Sequence, residues 1–395
     1  MPSSSDAPLP LRVTMLTGDF SPEQIGGQGI YAYEVARRLA GFGHHVRVYC
    51  PRTPERAAFS YPAGLELRFL SPGTRNPLLF SAEAAALRRE IVTGSDVLHV
   101  NELFGFPLTW RLPHERHALL VSSHNGYQDR MIAARRFVSK LKYPPLIALE
   151  GLSYRFADHV FIGSEIERAP MRRLGIADRR IACVPYGVDT ERFAGSNAAL
   201  RAEVRSELGI PMDARVVLFV GRFVERKKPH VVAEALGLLN GRVPNLHGVL
   251  VGDGEYMSEV RARIGSATNV HLTGAVPFSS LHRYYAAADV FTLPSVGEGS
   301  ISLVVLEAAS AGLPLVLTDD SSGQSAVFEP GRNGELVELG DARSLAEGLA
   351  RALERASVYG PRSRAIIQAH FSWEATAAAT LAHYQSALHA RRARG

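Results

Sequence analysis

The sequence predicts an α/β protein built from two Rossmann-like domains, each with a parallel sheet. Its 395 residues exceed what one compact core usually holds, because typical domains contain about 100–200 residues. Short apolar runs alternate with helix-like stretches along the chain, and this alternation stops at a polar, alanine-rich connection and restarts at residue 216. The composition, 46% hydrophobic and 21% charged, is that of a globular protein with packed cores.

The first half begins with a strand at residues 11–16, a glycine-containing loop, a helix at 30–41 and a strand at 45–49. This order is a βαβ unit. Further predicted strands share short apolar runs separated by helix-like stretches: 65–70, 97–100, 118–122, 159–162 and 181–184. The first domain is therefore predicted to span residues 1–192.

The second half repeats the pattern with a strand at 216–220 and a helix at 229–239. Its other predicted strands are 248–251, 270–273, 290–293 and 315–317. A doubly wound second domain is predicted for residues 193–372. The last helical stretch, 373–395, follows a capping serine, and its pattern alone allows packing on either domain.

Several protein classes are excluded by what the sequence contains. Cys50 and Cys183 have no metal-ligand spacing, which indicates thiols in a reducing compartment. Residues 1–10 lack the pattern of a signal peptide, and no apolar run approaches the ~18 residues of a membrane-spanning helix. We therefore expect a cytoplasmic protein.

The net charge of +5 is concentrated in residues 1–190, which carry 23 Lys and Arg against 18 Asp and Glu. Nucleic acid is not an expected partner, because the basic residues are not interleaved with aromatics in any recognised module. Residues 130–149 form a basic, amphipathic stretch without acids. That stretch fits peripheral contact with an anionic membrane at its inner face, and it equally fits a solvated helix face or a contact to an anionic acceptor.

The first chemical motif directly follows the strand at 216–220. Gly221 and Arg222 are followed by Lys227 just before the next helix. A guanidinium fork and an ammonium group at the carboxyl end of a strand, beside a helix N-terminus, suit a diphosphate. Taken alone, the segment also fits a solvated basic loop.

The second motif follows the strand at 290–293. A small-residue loop contains Glu298, a helix begins near Ser302, and Glu307 lies inside that helix. Free amides at the helix start can bind a phosphate, and the carboxylates can accept hydrogen bonds from hydroxyl groups. The alternative makes Glu298 a first-turn helix charge and Glu307 a surface residue.

Two weaker signals lie in the first domain. Gly26 and Gly27 occupy the loop between strand and helix, where the backbone can approach a phosphate or sugar closely. His124 follows a strand, where its ring could bond a sugar hydroxyl, although a histidine satisfied within a loop fits the sequence as well.

Taken together, these motifs resemble the retaining GT-B glycosyltransferases of family GT4. The resemblance covers nearly the whole chain. Its elements, in chain order, are Gly26-Gly27, His124, Pro185-Tyr186-Gly187-Val188-Asp189, Gly221-Arg222 with Lys227, Gly252-Asp253-Gly254, Glu298 with Glu307, and the Trp373 helix. The resemblance implies a GT-B fold of two Rossmann-like domains facing across a cleft, with acceptor bound by the first domain, donor by the second, and the last helix crossing back to the first.

The same resemblance implies roles for individual residues. Arg222 and Lys227 would grip the donor diphosphate, Glu307 would read the ribose, and His124 would contact the transferred sugar. Glu298 and the loop after it would position that sugar, and Gly26 and Gly27 would approach the donor phosphate or the acceptor. The remaining expected donor-binding positions are Gly221, Gly252, Gly254, Gly299, Ser300, Ile301, Ser302 and Leu303. The family usually has seven residues between its two glutamates, whereas this chain has eight, as expected from a one-residue insertion.

The implied activity is a retaining transfer of a hexosyl unit from a nucleotide sugar, with UDP or GDP sugars favoured. The acceptor hydroxyl would belong to a glycan, a lipid-linked molecule or a small molecule, as in polysaccharide, glycolipid or glycoside biosynthesis. No cofactor or metal is expected, because the sequence has no Asp-x-Asp motif. Two other functions remain open: a catalytically impaired sugar- or nucleotide-binding GT-B protein, and a GT-B nucleotide-sugar epimerase.

Overall fold

A computed structural model describes residues 9–20, 26–70, 86–101, 119–123, 143–194, 198–296, 301–318 and 323–392. The chain divides into two compact units. The described residues of unit 1 come from Met1–Tyr127, Lys142–Pro185 and Trp373–Gly395, and those of unit 2 from Tyr186–Ser372.

Unit 1 contains a seven-stranded sheet whose strands pair in parallel throughout, in the order β3-β2-β1-β4-β5-β6-β7. The strands are β1 (Arg12–Leu16), β2 (His45–Pro51), β3 (Leu65–Leu70), β4 (Val97–Val100), β5 (Leu119–Ser123), β6 (His159–Ile162) and β7 (Ile181–Cys183). Every residue of β4 is buried, as expected for a parallel strand covered on both faces.

The helices of unit 1 connect and cover these strands. They are α1 (Gly27–Gly41), α2 (Pro54–Ala58), α3 (Arg88–Thr93), α4 (Tyr143–Phe156), α5 (Arg168–Arg173) and the C-terminal helix, here numbered last as α13 (Trp373–Arg392). Helix α1 begins three residues earlier than the predicted helix, so that Gly27 is its first residue and Gly26 its N-cap.

The C-terminal helix α13 packs within unit 1, next to α1. Its Glu374 Oε1 lies 2.7 Å from Arg38 Nη2 of α1. The hydroxyl of Tyr384 lies 2.5 Å from Nδ1 of His99 on β4, and both side chains are fully buried. These contacts place the last helix with the first unit, although nearly two hundred residues of unit 2 precede it.

Unit 2 contains a six-stranded sheet, again parallel at every pairing, in the order β10-β9-β8-β11-β12-β13. Its strands are β8 (Arg215–Val220), β9 (Leu246–Val251), β10 (Val270–Gly274), β11 (Val290–Leu293), β12 (Leu315–Thr318) and β13 (Gly334–Val337). The strand order reverses between β8 and β11. Such a switch point opens a crevice at the carboxyl ends of the two strands, where doubly wound sheets bind ligands.

The helices of unit 2 are α6 (Ala198–Glu207), α7 (Pro229–Leu239), α8 (Met257–Ile264), α9 (Phe278–Ala287), α10 (Leu303–Ser310), α11 (Ala342–Glu354) and α12 (Ala356–His370). The polar, alanine-rich connection predicted before β8 contains helix α6, which the sequence analysis did not predict. Arg205 of α6 is fully buried and donates to Asp289 Oδ2 at 2.9 Å and to the carbonyls of Ala287 and Ala214 at 3.0 Å. Among the described residues, no helix combines the length and apolarity needed to cross a membrane.

Candidate functional site

The basic segment after β8 lies at the switch point of unit 2. Arg222 is exposed, whereas Lys227 is only 7% exposed and ends a short 3₁₀ turn, Glu225–Lys227. A Cβ built on Gly221 would lie 3.9 Å from Lys227 Cδ, so the lysine stem folds back beside the end of β8. The segment is therefore not a fully solvated basic loop, since one of its two expected cations is buried at the strand end.

The turn from Lys227 into α7 is made by Lys228, whose φ is +53°. Left-handed backbone is uncommon for a residue with a Cβ, and it recurs where the surrounding structure holds a functional segment. Pro229 follows as the first residue of α7, where its missing N–H costs no helical hydrogen bond. Lys228 thus joins the 3₁₀ turn directly to α7, with Lys227 near the carboxyl end of β8.

Gly252 and Gly254 pack the loop after β9 against the basic segment. Their φ values are +140° and +153°, and added Cβ atoms would lie 1.9 Å from Gly221 O and 2.5 Å from Phe223 O. The Phe223 amide also donates to Asp253 O at 2.8 Å. These glycines, expected to bind donor, thus meet the backbone of the neighbouring loop and hold the basic segment in place.

A backbone hydrogen bond also links the basic segment to the loop after β11. The Val296 amide donates to Arg226 O at 2.9 Å. On the other side of the same loop, the Thr318 hydroxyl at the end of β12 donates to Ser295 O at 2.7 Å. The two motifs predicted from the sequence are therefore brought together at one edge of the sheet. Glu298, Gly299 and Ser300 follow in the sequence and lie outside the described residues.

Helix α10 begins after Ser302, as predicted, and carries Glu307. The Ser302 amide lies 3.4 Å from Gln324 Oε1, while Ile301 and Leu303 are buried. Glu307 is 3% exposed, so the expectation of a surface residue is excluded. Its Oε2 accepts a hydrogen bond of 2.7 Å from the hydroxyl of Tyr285 on α9.

Burial raises the pKa of Glu307 to about 8, while the Tyr285 hydrogen bond and the positive charge of Arg192 oppose that rise. A buried carboxyl group is costly to ionise unless donors surround it. In the free protein the Glu307 carboxylate therefore has too few hydrogen-bond donors around it, and it can accept further hydrogen bonds from hydroxyl groups of a ligand. Perturbed carboxyl groups of this kind are concentrated at functional sites.

In unit 1 the glycine pair lies at the start of α1, beside Asp19, which belongs to none of the motifs described above. The Gly26 amide donates to Asp19 Oδ2 at 3.0 Å, and Asp19 Oδ1 lies 3.1 Å from Nη2 of buried Arg56. A Cβ on Gly29 would lie 2.6 Å from the Asp19 carboxyl carbon. The Asp19 carboxylate therefore already occupies this helix start. His124 lies outside the described residues.

No group of three or more His, Cys, Asp or Glu side chains with the geometry of a metal site occurs among the described residues. Cys50 and Cys183 are free thiols, and burial raises the pKa of each to about 12. Neither thiol is activated as a nucleophile, because the thiolate is the reactive form.

Solved structures share this fold over almost the full length of the chain. Sucrose-phosphate synthase from Thermosynechococcus elongatus superposes with a TM-score of 0.80 at 22% identity, covering 96% of this chain and all of that one. The Anabaena protein HepE in complex with UDP-glucose superposes with a TM-score of 0.72 at 18% identity, covering 94% of this chain and all of that one. The two parallel sheets of this topology therefore form the GT-B fold.

Sequence comparison identifies the family. Residues 25–192 match the model described as Glycosyltransferase Family 4, and residues 214–355 match Glycosyl transferases group 1. D-inositol 3-phosphate glycosyltransferase of Mycolicibacterium smegmatis is 30% identical over 99% of this chain and 94% of its own. The GDP-mannose-dependent alpha-(1-6)-phosphatidylinositol monomannoside mannosyltransferase of Mycobacterium tuberculosis is 26% identical over 94% of this chain and 97% of its own. The chain belongs to glycosyltransferase family 4, and the predicted fold class and enzyme class are confirmed.

Proposed function

We propose that this retaining glycosyltransferase binds a UDP or GDP sugar at the carboxyl edge of the unit 2 sheet and transfers its hexosyl unit to an acceptor hydroxyl. Arg222 and Lys227 hold the diphosphate, and Glu307 accepts hydrogen bonds from the ribose. The observation that carries this proposal is the backbone hydrogen bond from Val296 to Arg226, which joins the basic segment to the loop that leads towards Glu307. The M. tuberculosis relative is named for GDP-mannose and the Anabaena structure contains UDP-glucose, which supports these two donors.

The proposed chemistry is electrostatic. The bond from the anomeric carbon to the β-phosphate oxygen breaks while the acceptor oxygen bonds to that carbon on the same face. The acceptor proton passes to the departing phosphate oxygen. Arg222 and Lys227 stabilise the charge that grows on the diphosphate, and burial around Lys227 strengthens this effect. Because two side-chain cations supply this stabilisation, we propose that turnover requires no divalent metal or other cofactor.

The expected roles of residues outside the described part belong to the same proposal. His124 contacts the transferred sugar from unit 1, and Glu298 with Gly299 and Ser300 positions it. Unit 1 binds the acceptor, which is a glycan, a lipid-linked molecule or a small molecule. The two relatives are named for D-inositol 3-phosphate and for a phosphatidylinositol mannoside, so hydroxyl-rich inositol derivatives are the first acceptors to test.

We also propose peripheral contact of the basic stretch 130–149 and α4 with an anionic membrane. The described end of the basic stretch runs into α4, on which Leu152 and Phe156 are each 39% exposed. Residues four apart share one face of a helix. Exposed apolar side chains following five basic residues in 130–142 suit adsorption to anionic lipid.

The test of the proposed function is product analysis with UDP-glucose and GDP-mannose, each with and without an inositol phosphate acceptor. We expect a glycoside that keeps the donor's anomeric configuration, identified from its proton coupling constants. Formation of an epimeric nucleotide sugar without acceptor would instead indicate an epimerase. Donor binding with neither transfer nor hydrolysis, for these donors and a panel of glycan and lipid acceptors, would indicate a catalytically impaired binding protein.

A further inference from the structure

The contact between Tyr285 and Glu307 suggests how the proposed ribose site is set up. Tyr285 is 1% exposed, and its ring packs edge-to-face on Phe193 at 5.5 Å and tilted on Phe291 at 6.0 Å. Phe193 belongs to the segment before α6, and Phe291 to β11. The phenol is therefore fixed from two sides, and its hydroxyl is a donor of fixed position.

The Tyr285 hydroxyl satisfies only part of the Glu307 carboxylate. An ionised carboxylate offers about four lone-pair sites on two oxygens. Tyr285 donates to Oε2, and among the described residues no hydrogen bond reaches Oε1. The Val304 carbonyl, 3.3 Å from the hydroxyl, is a second and more distant acceptor for the same proton, so the shorter contact to Glu307 is the main hydrogen bond. The carboxylate thus has room for the two donors of a vicinal diol.

Resting on the proposed donor site, we propose that Tyr285 is a positioning residue: it orients Glu307 for the ribose diol and couples nucleotide binding to loss of the Glu307 proton. In neutral Glu307 the proton occupies one acceptor lone pair of the carboxyl group. The ribose diol therefore binds better to the deprotonated carboxylate. Tyr285 favours that deprotonated form by donating to it.

The charges around Glu307 determine the sign of the pH dependence. Tyr285 faces it from α9, and Arg192 acts on it from the segment before α6. Strands β11 and β12 contribute no ionisable side chain, and Arg364 of α12 donates instead to Ala311 O at the far end of α10. The pKa of Glu307 in the free protein is about 8, so nucleotide affinity should rise from pH 7 to pH 9. Removing the Tyr285 donor should move this rise to higher pH.

The experiment is calorimetric titration of UDP and GDP into wild type, Tyr285→Phe and Glu307→Gln between pH 7 and pH 9, in two buffers of different ionisation enthalpy. Wild type should release roughly one proton per nucleotide near pH 7. The 2′,3′-dideoxy nucleotide should release none. Tyr285→Phe should weaken binding at pH 7 by about tenfold, the usual effect of one hydrogen bond to a charged group. Tyr284→Phe makes the same chemical change on the neighbouring, partly exposed tyrosine and should match wild type.

A double-substitution cycle separates positioning from a packing effect. If Tyr285 acts through Glu307, Tyr285→Phe should change affinity less than about twofold when Glu307 is already glutamine. An equal loss in both backgrounds, or an unshifted pH profile in Tyr285→Phe, would overturn the positioning role and leave the donor site standing. If wild type binds neither UDP nor GDP, the proposed function itself fails.

Discussion

The stem of Lys227 lies beside the bare Cα of Gly221, with Lys227 Cδ 3.9 Å from the point where a Cβ would be. That distance is an ordinary van der Waals contact, so a methyl group fits at position 221. Position 252 differs, because its Cβ would lie 1.9 Å from Gly221 O on backbone with φ +140°. Steric contact and backbone conformation therefore require glycine at position 252 but not at position 221.

We expect Gly221→Ala to lower the free energy of unfolding by less than about 1 kcal/mol and Gly252→Ala to lower it by about 3 kcal/mol or more. The first substitution adds a tolerated contact, whereas the second forces the two loops apart. Urea unfolding of both variants measures the difference. Equal losses would contradict the close packing of these loops.

Removal of the buried guanidinium of Arg205 should be among the most destabilising changes in unit 2. Arg205→Met leaves the carbonyls of Ala287 and Ala214 without their donor, at an expected cost of about 3 kcal/mol. Arg201→Met is the matched control, because Arg201 also pairs with Asp289, at 2.6 Å, but its side chain is 28% exposed. That change should cost about 1 kcal/mol or less. Scanning calorimetry of both variants checks the order, and its reversal would contradict this role of Arg205.

Acid should weaken unit 1 through His383 of α13, whose Nε2 lies 3.2 Å from His159 Nδ1 on β6. Burial, followed by the charge of His159, lowers the pKa of His383 from 6.5 to about 4. The unfolded chain therefore binds more protons within this window, so this stability is complete above pH 6.5 and is lost as pH falls towards 4. The expected loss is about 1–2 kcal/mol after allowance for partial exposure.

His383→Gln should flatten this part of the stability curve. Denaturant midpoints measured from pH 7 to pH 4 compare the variant with wild type. His99, whose pKa is lowered by burial to about 3, is present in both proteins, so its contribution cancels in the difference. Parallel curves would show that the histidine pair does not contribute.

The proposed membrane contact predicts that binding to anionic vesicles depends on the exposed apolar side chains of α4. Leu152→Glu and Phe156→Glu should each reduce sedimentation with phosphatidylglycerol-containing vesicles at least about fivefold, because each removes an apolar side chain from the lipid-facing helix. Leu238→Glu alters a similarly exposed leucine, 42% exposed, on α7 of unit 2 and should have no effect. Equal binding of all variants would exclude α4 as the contact surface.

Sequence patterns predicted every strand of the two sheets except β13, because runs such as residues 216–220 are apolar and buried on both faces, whereas the two middle residues of β13 are not buried. They missed α6 because its outward face is polar and alanine-rich. The helix is anchored by buried Arg205, whose partner Asp289 lies 84 residues away in the sequence. The same limit applies to the site. Strand ends located Arg222, Lys227 and Glu307, whereas nothing local links Tyr285 to Glu307 or Asp19 to Gly26, since those contacts form only in the folded chain.

The central claim is that Arg222 and Lys227 hold a nucleoside diphosphate at the end of β8. Its most direct test is a thermal-shift titration with UDP, GDP, ADP and TDP on wild type, Arg222→Ala, Lys227→Ala and, as control, Arg215→Ala at the opposite end of the same strand. A ligand that binds only the folded state must raise the melting temperature. We expect UDP or GDP to raise it in wild type and Arg215→Ala and to lose this effect in both site variants. A rise that survives both substitutions, or no rise with any nucleotide, would contradict the proposed donor site.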